Sequence, residues 1–231
     1  MTRTRVLTAA TVALLAAPVA AQAAGPRATV RAETAAKTVL AGDVKVGAAR
    51  AYLDVDGTPH ALQPNTVLGQ LVTGAAAAGA DLEIGFNAQF GGFVSSIGGV
   101  APANPQTGSW SLFVDNALAM TGAETATIKN GHEIVWILDP DFNEPGPTFL
   151  DLDPVKASAV PGTFRLTFGV TLAAGDRPVP AKGATVLVNG KKHTTNARGR
   201  VTVEVRQGTA WTARATLKGS IRSEILRGTA G

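Results

Sequence analysis

The side chains that could carry covalent chemistry are few and widely spaced. The chain has three histidines, His60, His132 and His193, and no cysteine. Nucleophilic catalysis needs a hydroxyl or thiol with a base within reach, and no Gly-x-Ser-x-Gly elbow occurs anywhere in the sequence. We therefore expect the histidines to be exposed turn or strand residues, and we predict that the protein is not an enzyme.

A cell-wall hydrolase is the one enzyme class that stays open as an alternative. It would need a pair of carboxylates across a cleft, and Glu83, Glu124 and Glu133 are available. Their spacing does not bring them together on one element, so this alternative is the weakest.

No metal or phosphate site is predicted. Asp139-x-Asp141-x-Asn143 matches the start of a calcium loop, but Glu144 stands where the loop needs glycine and Leu150 where it needs glutamate. No Gly-x-x-x-x-Gly-Lys-[Ser/Thr] phosphate cradle is present either.

Aromatic residues around Gly91-Gly92 are better candidates for a binding surface. Glycine lets a backbone approach a flat ligand closely, and Phe86, Phe90 and Phe93 lie beside this pair. Trp136 and Phe113 are expected to fill the core instead. The candidate ligand-binding residues share this neighbourhood or a neighbouring strand: Phe90, Gly91, Gly92, Phe93, Ser95, Ser96 and Trp110.

A second, weaker candidate is a basic hairpin that could contact a polyanion. Its members are Lys191, Lys192, Arg198 and Arg200. Aromatic residues are not interleaved with them, so we predict no nucleic-acid partner.

Apolar spacing predicts one helix, over residues 66–78. Val67, Leu68, Leu71, Val72 and Ala75 form one face. Asn65 or Thr66 can cap its first turn, and Gly79 can end it.

Short alternating strands surround this helix. Residues 28–46 predict a strand pair with a turn at Gly42-Asp43, and Asn130-Gly131 is a tight-turn dipeptide before the strand at 133–138. One helix on a mixed sheet of four or five strands predicts a β-grasp-like α+β domain over residues 24–138.

The remainder of the chain predicts a linker and an all-β domain. Four prolines in residues 139–154 favour an irregular, acidic, Pro-rich linker. Residues 155–231 contain six or seven short strands separated by turns, including one at 220–226, which predicts a small immunoglobulin-like β-sandwich.

The first 23 residues have the three parts of a secretory signal peptide. Arg3 and Arg5 precede an apolar run of about 14 residues, and Ala21-Gln22-Ala23 provides a small-x-small cleavage site. A membrane-spanning helix needs roughly 20 residues. We expect a secreted, extracellular protein that can associate with the cell surface; an uncleaved membrane anchor is the alternative.

Charge changes sign along the chain. Residues 25–153 contain 6 basic and 14 acidic side chains, whereas residues 154–231 contain 13 basic and 3 acidic ones. A basic second domain could lie against an anionic cell-wall polymer. The alternatives are that the two halves attract each other, or that these are solvated faces.

Three segments of the first domain resemble, in order, the C-terminal β-domain of the transcobalamin and intrinsic factor family. They are GlyGlyPheValSerSerIleGlyGly (91–99), SerTrpSerLeuPheValAsp (109–115) and IleLysAsnGlyHisGluIleValTrp (128–136), and the helix opening at Asn65 fits as well. Bacterial members are mostly secreted or surface proteins.

This resemblance implies a corrinoid as a candidate ligand, although no cofactor is otherwise expected. In the cobalamin carriers an α-helical barrel covers the other face of the ligand, and this chain has no such barrel. A domain that covers only one face of a corrinoid should lose most of the affinity of the complete site for that ligand.

Residues 183–190 and 194–203 resemble bacterial immunoglobulin-like and carboxypeptidase-regulatory-like modules. Together, these observations predict a non-catalytic binding protein whose partner is a small ligand, a glycan or a cell-surface polymer. A purely structural surface module, with Phe90, Phe93 and Trp110 buried, is the alternative.

Overall fold

The computed structural model describes residues 26–45, 51–63, 65–142, 146–173 and 177–230. The predicted signal peptide lies outside the described residues. Within them the protein is mostly β-structure with a single helix. None of the helical structure described is long and apolar enough to cross a membrane.

The first part of the chain is built on a mixed five-stranded sheet with the order β2-β1-β9-β7-β8. β1 and β9 are parallel, and the other neighbours are antiparallel. The strands of this sheet are β1 (Arg27–Glu33), β2 (Thr38–Lys45), β7 (Ser109–Val114), β8 (Ala117–Leu118) and β9 (Glu133–Asp139).

Helix α1 (Val67–Ala78) covers one face of this sheet. Thr66 is its N-cap, because the Thr66 side chain accepts a hydrogen bond from the Gly69 N–H at 3.2 Å. Gly79 ends the helix in the left-handed conformation, with φ 62°. Both predicted helix boundaries are therefore confirmed. Gln70 ties the helix to the sheet by donating to the Ala28 carbonyl at 2.9 Å.

Two hairpins pack on the helix side of the sheet. One pairs β3 (Ala51–Leu53) with β4 (Pro59–Ala61), and the other pairs β5 (Leu82–Asn87) with β6 (Gly91–Ile97). Both contribute to the same core as the helix, through Tyr52, Ile84, Val94 and Ile97.

Two further sheets enclose a second core in the rest of the chain. One has the order β10-β11-β12 with β15 also paired to β11, and the other has the order β14-β13-β16-β17. Their strands are β10 (Phe149–Val160), β11 (Thr163–Ala173), β12 (Val179–Pro180), β13 (Thr185–Val188), β14 (Lys191–Thr194), β15 (Arg200–Arg206), β16 (Ala210–Thr216) and β17 (Leu226–Thr229). Phe168 and Trp211 meet edge to face at the centre of this core.

Three predicted local features are wrong. Residues 139–154 are not irregular throughout, because β10 begins at Phe149 and carries Pro154 at a register shift in its pairing with β11. Gly42-Asp43 is inside β2, and the chain turns at residues 34–37 instead, where the Thr34 hydroxyl accepts from two backbone N–H groups. The strand predicted at 220–226 does not form: only Ile221 makes a bridge before β17 begins at Leu226.

The five-stranded sheet is buried on both faces. Phe113, Val135 and Ile137 point away from the helix and pack with Phe149, Ala173 and Ile221, which come from the second part of the chain. Phe113 and Phe149 meet edge to face with 4.9 Å between ring centroids. The two parts of the chain therefore share a third apolar cluster, and the domain boundaries predicted from the sequence stay predictions.

Replacing Thr66 with alanine should lower the free energy of unfolding by about 1 kcal/mol, because the first helical turn loses its side-chain acceptor. Thr66→Ser keeps the hydroxyl and is the matched control. The measurement is equilibrium denaturation of both variants. Equal midpoints for the two variants would show that the cap does not stabilise the fold.

Candidate functional site

The tip of the β5–β6 hairpin carries three exposed phenylalanines, which we call the aromatic tip: Phe86, Phe90 and Phe93. Their exposed fractions are 43%, 74% and 53%. Side chains alternate across a strand, so Phe93 and Phe86 lie on opposite faces of the hairpin, and Phe90 lies in the turn between them. The three rings therefore do not share one face of the hairpin.

The rings are held in place by their neighbours. The Phe93 ring lies against the backbone of Gly85, where any side chain would overlap it. The Phe86 ring stacks on the His60 ring at 3.9 Å, and His60 in turn stacks on Tyr52 at 5.2 Å. Rings fixed in this way lose little conformational entropy when a partner binds.

Two polar pairs hold the His60 and Tyr52 side chains of this ring stack. His60 Nε2 lies 2.8 Å from Asp54 Oδ2, and the Tyr52 hydroxyl donates to Glu124 Oε1 at 2.5 Å. The hydrogen bond with His60 is the main cause that lowers the pKa of Asp54. Burial, together with the Glu124 carboxylate, raises the pKa of the Tyr52 hydroxyl, so it stays a donor at neutral pH. His60 is thus half-buried and paired, not an exposed turn residue as expected.

The double glycine has a different role from the predicted one. A side chain at Gly91 would overlap Glu124, and one at Gly92 would overlap the Tyr52 hydroxyl and Glu124. These glycines therefore make room for the protein's own side chains, and Gly92 is buried. They are not an open backbone surface for a flat ligand.

Some of the seven predicted ligand-binding residues lie at the surface, and others are buried. Phe90 and Phe93 are at the surface, whereas Trp110 is only 6% exposed and packs in the helix-side core, its indole N–H directed to the Val100 carbonyl. Ser96 is buried, and Ser95 donates to the Glu83 carbonyl. Trp110 and Ser96 therefore do not belong to an exposed binding surface. Trp136 and Phe113 are buried, as expected.

Other exposed apolar side chains lie on segments that contact this hairpin. Val55 belongs to the β3–β4 turn and donates its backbone N–H to the Ile84 carbonyl. Glu124, which packs under Gly91 and Gly92, follows Met120 in the same loop. The additional exposed residues are Leu53, Val55 and Met120. Hydrophobic periodicity in the sequence does not mark these residues as part of this surface, because each stands alone beside a turn.

The predicted basic hairpin is only partly one unit. Lys191 and Lys192 are exposed on β14, whereas Arg198 and Arg200 lie in and just after the turn that leads to β15, in the other sheet. The Asn196 side chain accepts from the backbone N–H groups of both arginines and fixes this turn. We call these four exposed residues the basic corner. Within the described ranges none of them forms a salt bridge.

A second polar site lies between the two parts of the chain and was missed from the sequence. Glu133, Asp151 and Glu224 bring one carboxylate oxygen each within 4.8 Å of one another. They come from β9, from β10 and from the segment before β17, so no local spacing could reveal them. They line an open cavity of about 370 Å³.

Arg31 is the counter-ion of this carboxylate cluster. Its Nη2 lies 3.3 Å from Glu133 Oε1 and 3.4 Å from Glu224 Oε2. The Arg31 side chain is buried, and its guanidinium carbon is 5.4 Å from the centre of the Phe149 ring. Three carboxylates have the right donor atoms for a divalent cation, but the guanidinium already supplies positive charge there.

Burial decides the protonation of this cluster. It raises the pKa of Glu133 to about 7, with a contribution from Asp151, and that of Glu224 to about 8; Arg31 opposes both shifts. Burial is also the main cause that raises the pKa of Asp153 nearby. At neutral pH this interface therefore holds protons that the unfolded chain would release.

In the part of the chain that the structure describes, these features define a β-rich protein with one helix, an exposed aromatic hairpin and a buried ionic interface between its two parts. Residues 71–139 match the model of a family described as a domain of unknown function, DUF4430, which is transcobalamin-like. This match spans the C-terminal part of α1 and β5 to β9, and so includes the aromatic tip. No curated protein matches the chain.

Stability should fall as the pH rises from about 4.5 to about 8. Glu133 and Glu224 bind protons more tightly in the folded protein than in the unfolded chain, so across this range the folded state holds more protons and loses stability with rising pH. Chemical denaturation at a series of pH values measures this slope.

Glu224→Gln should make that slope shallower, because the amide cannot release a proton. Glu204→Gln, an exposed carboxylate paired with Arg165, is the control and should leave the slope unchanged. The same slope in Glu224→Gln and the wild type would contradict the assignment of the titration to this interface.

Proposed function

We propose that the chain is an exported, non-catalytic binding protein that contacts its partner through the aromatic tip. The observation that carries this proposal is the exposure of Phe86, Phe90 and Phe93 on one hairpin, where the Phe86 ring stacks on His60 and the Phe93 ring packs on Gly85. Exposed aromatic residues in fixed conformations are typical of binding hot spots. The structural alternative predicted that Phe90, Phe93 and Trp110 are all buried; Phe90 and Phe93 are exposed, whereas Trp110 is buried.

The shape of the tip favours a macromolecular partner. Small-molecule sites are concave and enclose most of the ligand, whereas these rings lie on both faces and in the turn of the hairpin. A cell-surface polymer or a protein surface can contact both faces of such a hairpin. A corrinoid, implied by the resemblance to the transcobalamin family, would contact only one side of it and stays a second candidate.

The fold assignments that accompany this proposal are a β-grasp-like domain at residues 24–138 and an immunoglobulin-like sandwich at 155–231. The mixed sheet crossed by one helix supports the first, and two four-stranded sheets around one core support the second. The export signal at residues 1–23 rests on its sequence pattern alone.

Absence of a catalytic role is part of the proposal. Nothing in the described chain places a hydroxyl in hydrogen-bonding distance of His60, whose hydrogen bond goes to Asp54, and the Tyr52 hydroxyl is bonded to Glu124. A cell-wall hydrolase would need a carboxylate pair in a cleft, and two carboxylates of the three-carboxylate cluster, those of Glu133 and Glu224, lie against the Arg31 guanidinium.

Phe90→Ser combined with Phe93→Ser should weaken binding to intact cells or purified cell wall at least about tenfold, which corresponds to about 1.4 kcal/mol. Phe142→Ser, at an exposed phenylalanine after β9, is the control. Titrations with cobalamin, glycans and peptidoglycan fragments identify the class of partner. Unchanged binding by the double variant to every one of these would refute the role of the tip.

A further inference from the structure

The stretch of sequence that contains the aromatic tip carries acidic side chains but no lysine or arginine. Between Ala51 and Ile128 the chain contains no lysine or arginine, but it contains Asp54, Asp56, Asp81, Glu83, Asp115 and Glu124. Asp56 and Glu83 are exposed on the two hairpins, and Glu124 lies directly under Gly91. A partner of the tip therefore gains electrostatic energy if it is cationic.

The basic corner offers the matching chemistry on the same chain. Lys191, Lys192, Arg198 and Arg200 are exposed and have no acidic partner among the residues that the structure describes. Lysine and arginine side chains can lie along aromatic rings with their apolar stems and place their charge over the ring face. Each of these side chains can therefore contact a phenylalanine ring or a nearby carboxylate.

One molecule cannot easily make this contact with itself. The β5–β6 hairpin belongs to the core on the helix side of the five-stranded sheet, whereas the second part of the chain covers the opposite face through Phe113, Val135 and Phe149. In the described residues no hydrogen bond or ion pair joins the aromatic tip to the basic corner.

We infer that the aromatic tip of one molecule docks on the basic corner of a second copy of the same chain. This inference rests on the proposed role of the tip as a binding surface and names its occupant. Because the two surfaces differ, the contact is head-to-tail, and each molecule keeps one free end that can add a further copy. Assembly then extends into chains unless the geometry closes a ring.

The experiment is sedimentation velocity on the purified protein over a concentration series, at low and high salt. Raising NaCl from about 0.01 M to about 1 M shortens the Debye length from about 30 Å to about 3 Å and should dissociate the assembly. Phe90→Ser with Phe93→Ser, and separately Lys191→Glu with Lys192→Glu, should each leave the protein monomeric at low salt.

The decisive measurement uses a mixture of the phenylalanine variant and the lysine variant. The phenylalanine variant keeps the basic corner, and the lysine variant keeps the aromatic tip, so an equal mixture should form a 1:1 dimer that cannot extend. Two controls should assemble like the wild type. They are Phe142→Ser, and Lys37→Glu with Lys129→Glu, which makes the same change in net charge at exposed positions outside the corner.

Wild-type protein that stays monomeric at low salt, or assembly that survives the phenylalanine substitutions, overturns the inference. If the wild type is monomeric but the phenylalanine variant loses its binding to cell wall, the tip has a different occupant and only this inference fails. If the phenylalanine variant retains both properties, the proposed function fails as well.

Discussion

Burial of Arg31 is the constraint on which the arrangement of the whole chain depends. Arg31 lies on the face of the five-stranded sheet that points away from the helix, where a guanidinium must be paired once water is removed. Glu133 comes from its own sheet, and Glu224 comes from the other part of the chain. Separating the two parts would leave apolar Phe113 and Val135 in water, so apolar burial and ion pairing both favour the same docked geometry.

The same face of the five-stranded sheet carries a second buried ion pair between the two parts of the chain. Glu33 is fully buried on β1, accepts from Thr38 and pairs with Arg222 at 3.1 Å. Burial is the main cause that raises the pKa of Glu33, and the nearby arginines oppose it. Charged partners must meet within about 4 Å to compensate for desolvation. These pairs therefore restrict the relative position of the two parts more tightly than apolar contacts would.

Local signals made part of this fold predictable. Thr66 and Gly79 mark the helix ends because capping needs only a side-chain oxygen and a left-handed residue, and Asn189-Gly190 forms its turn with both φ values positive. Long-range burial was not predictable in this way. Pro154 suggested a linker because proline lacks an N–H, but β10 accommodates it at a register shift.

The sequence did contain an overlooked clue to the sheet's second buried face. Glu133 to Leu138 is an almost continuous apolar run, which is typical of strands covered on both sides. The run therefore indicates the second covered face, on which Val135 and Ile137 pack against the second part of the chain. Trp110 was misplaced for a related reason, since a position near a turn says nothing about which face of β7 the side chain occupies.

The aromatic tip shows how interior packing can fix what lies at the surface. Glu124 and the Tyr52 hydroxyl occupy the space beside Gly91 and Gly92, so that side of the strand is closed. Phe93 rests on Gly85 and Phe86 on His60, which leaves the outer surfaces of both rings in solvent. Exposure of these rings is thus a consequence of a filled interior. Exposed apolar clusters can promote association, and the proposal that a partner binds at the aromatic tip rests on this exposure.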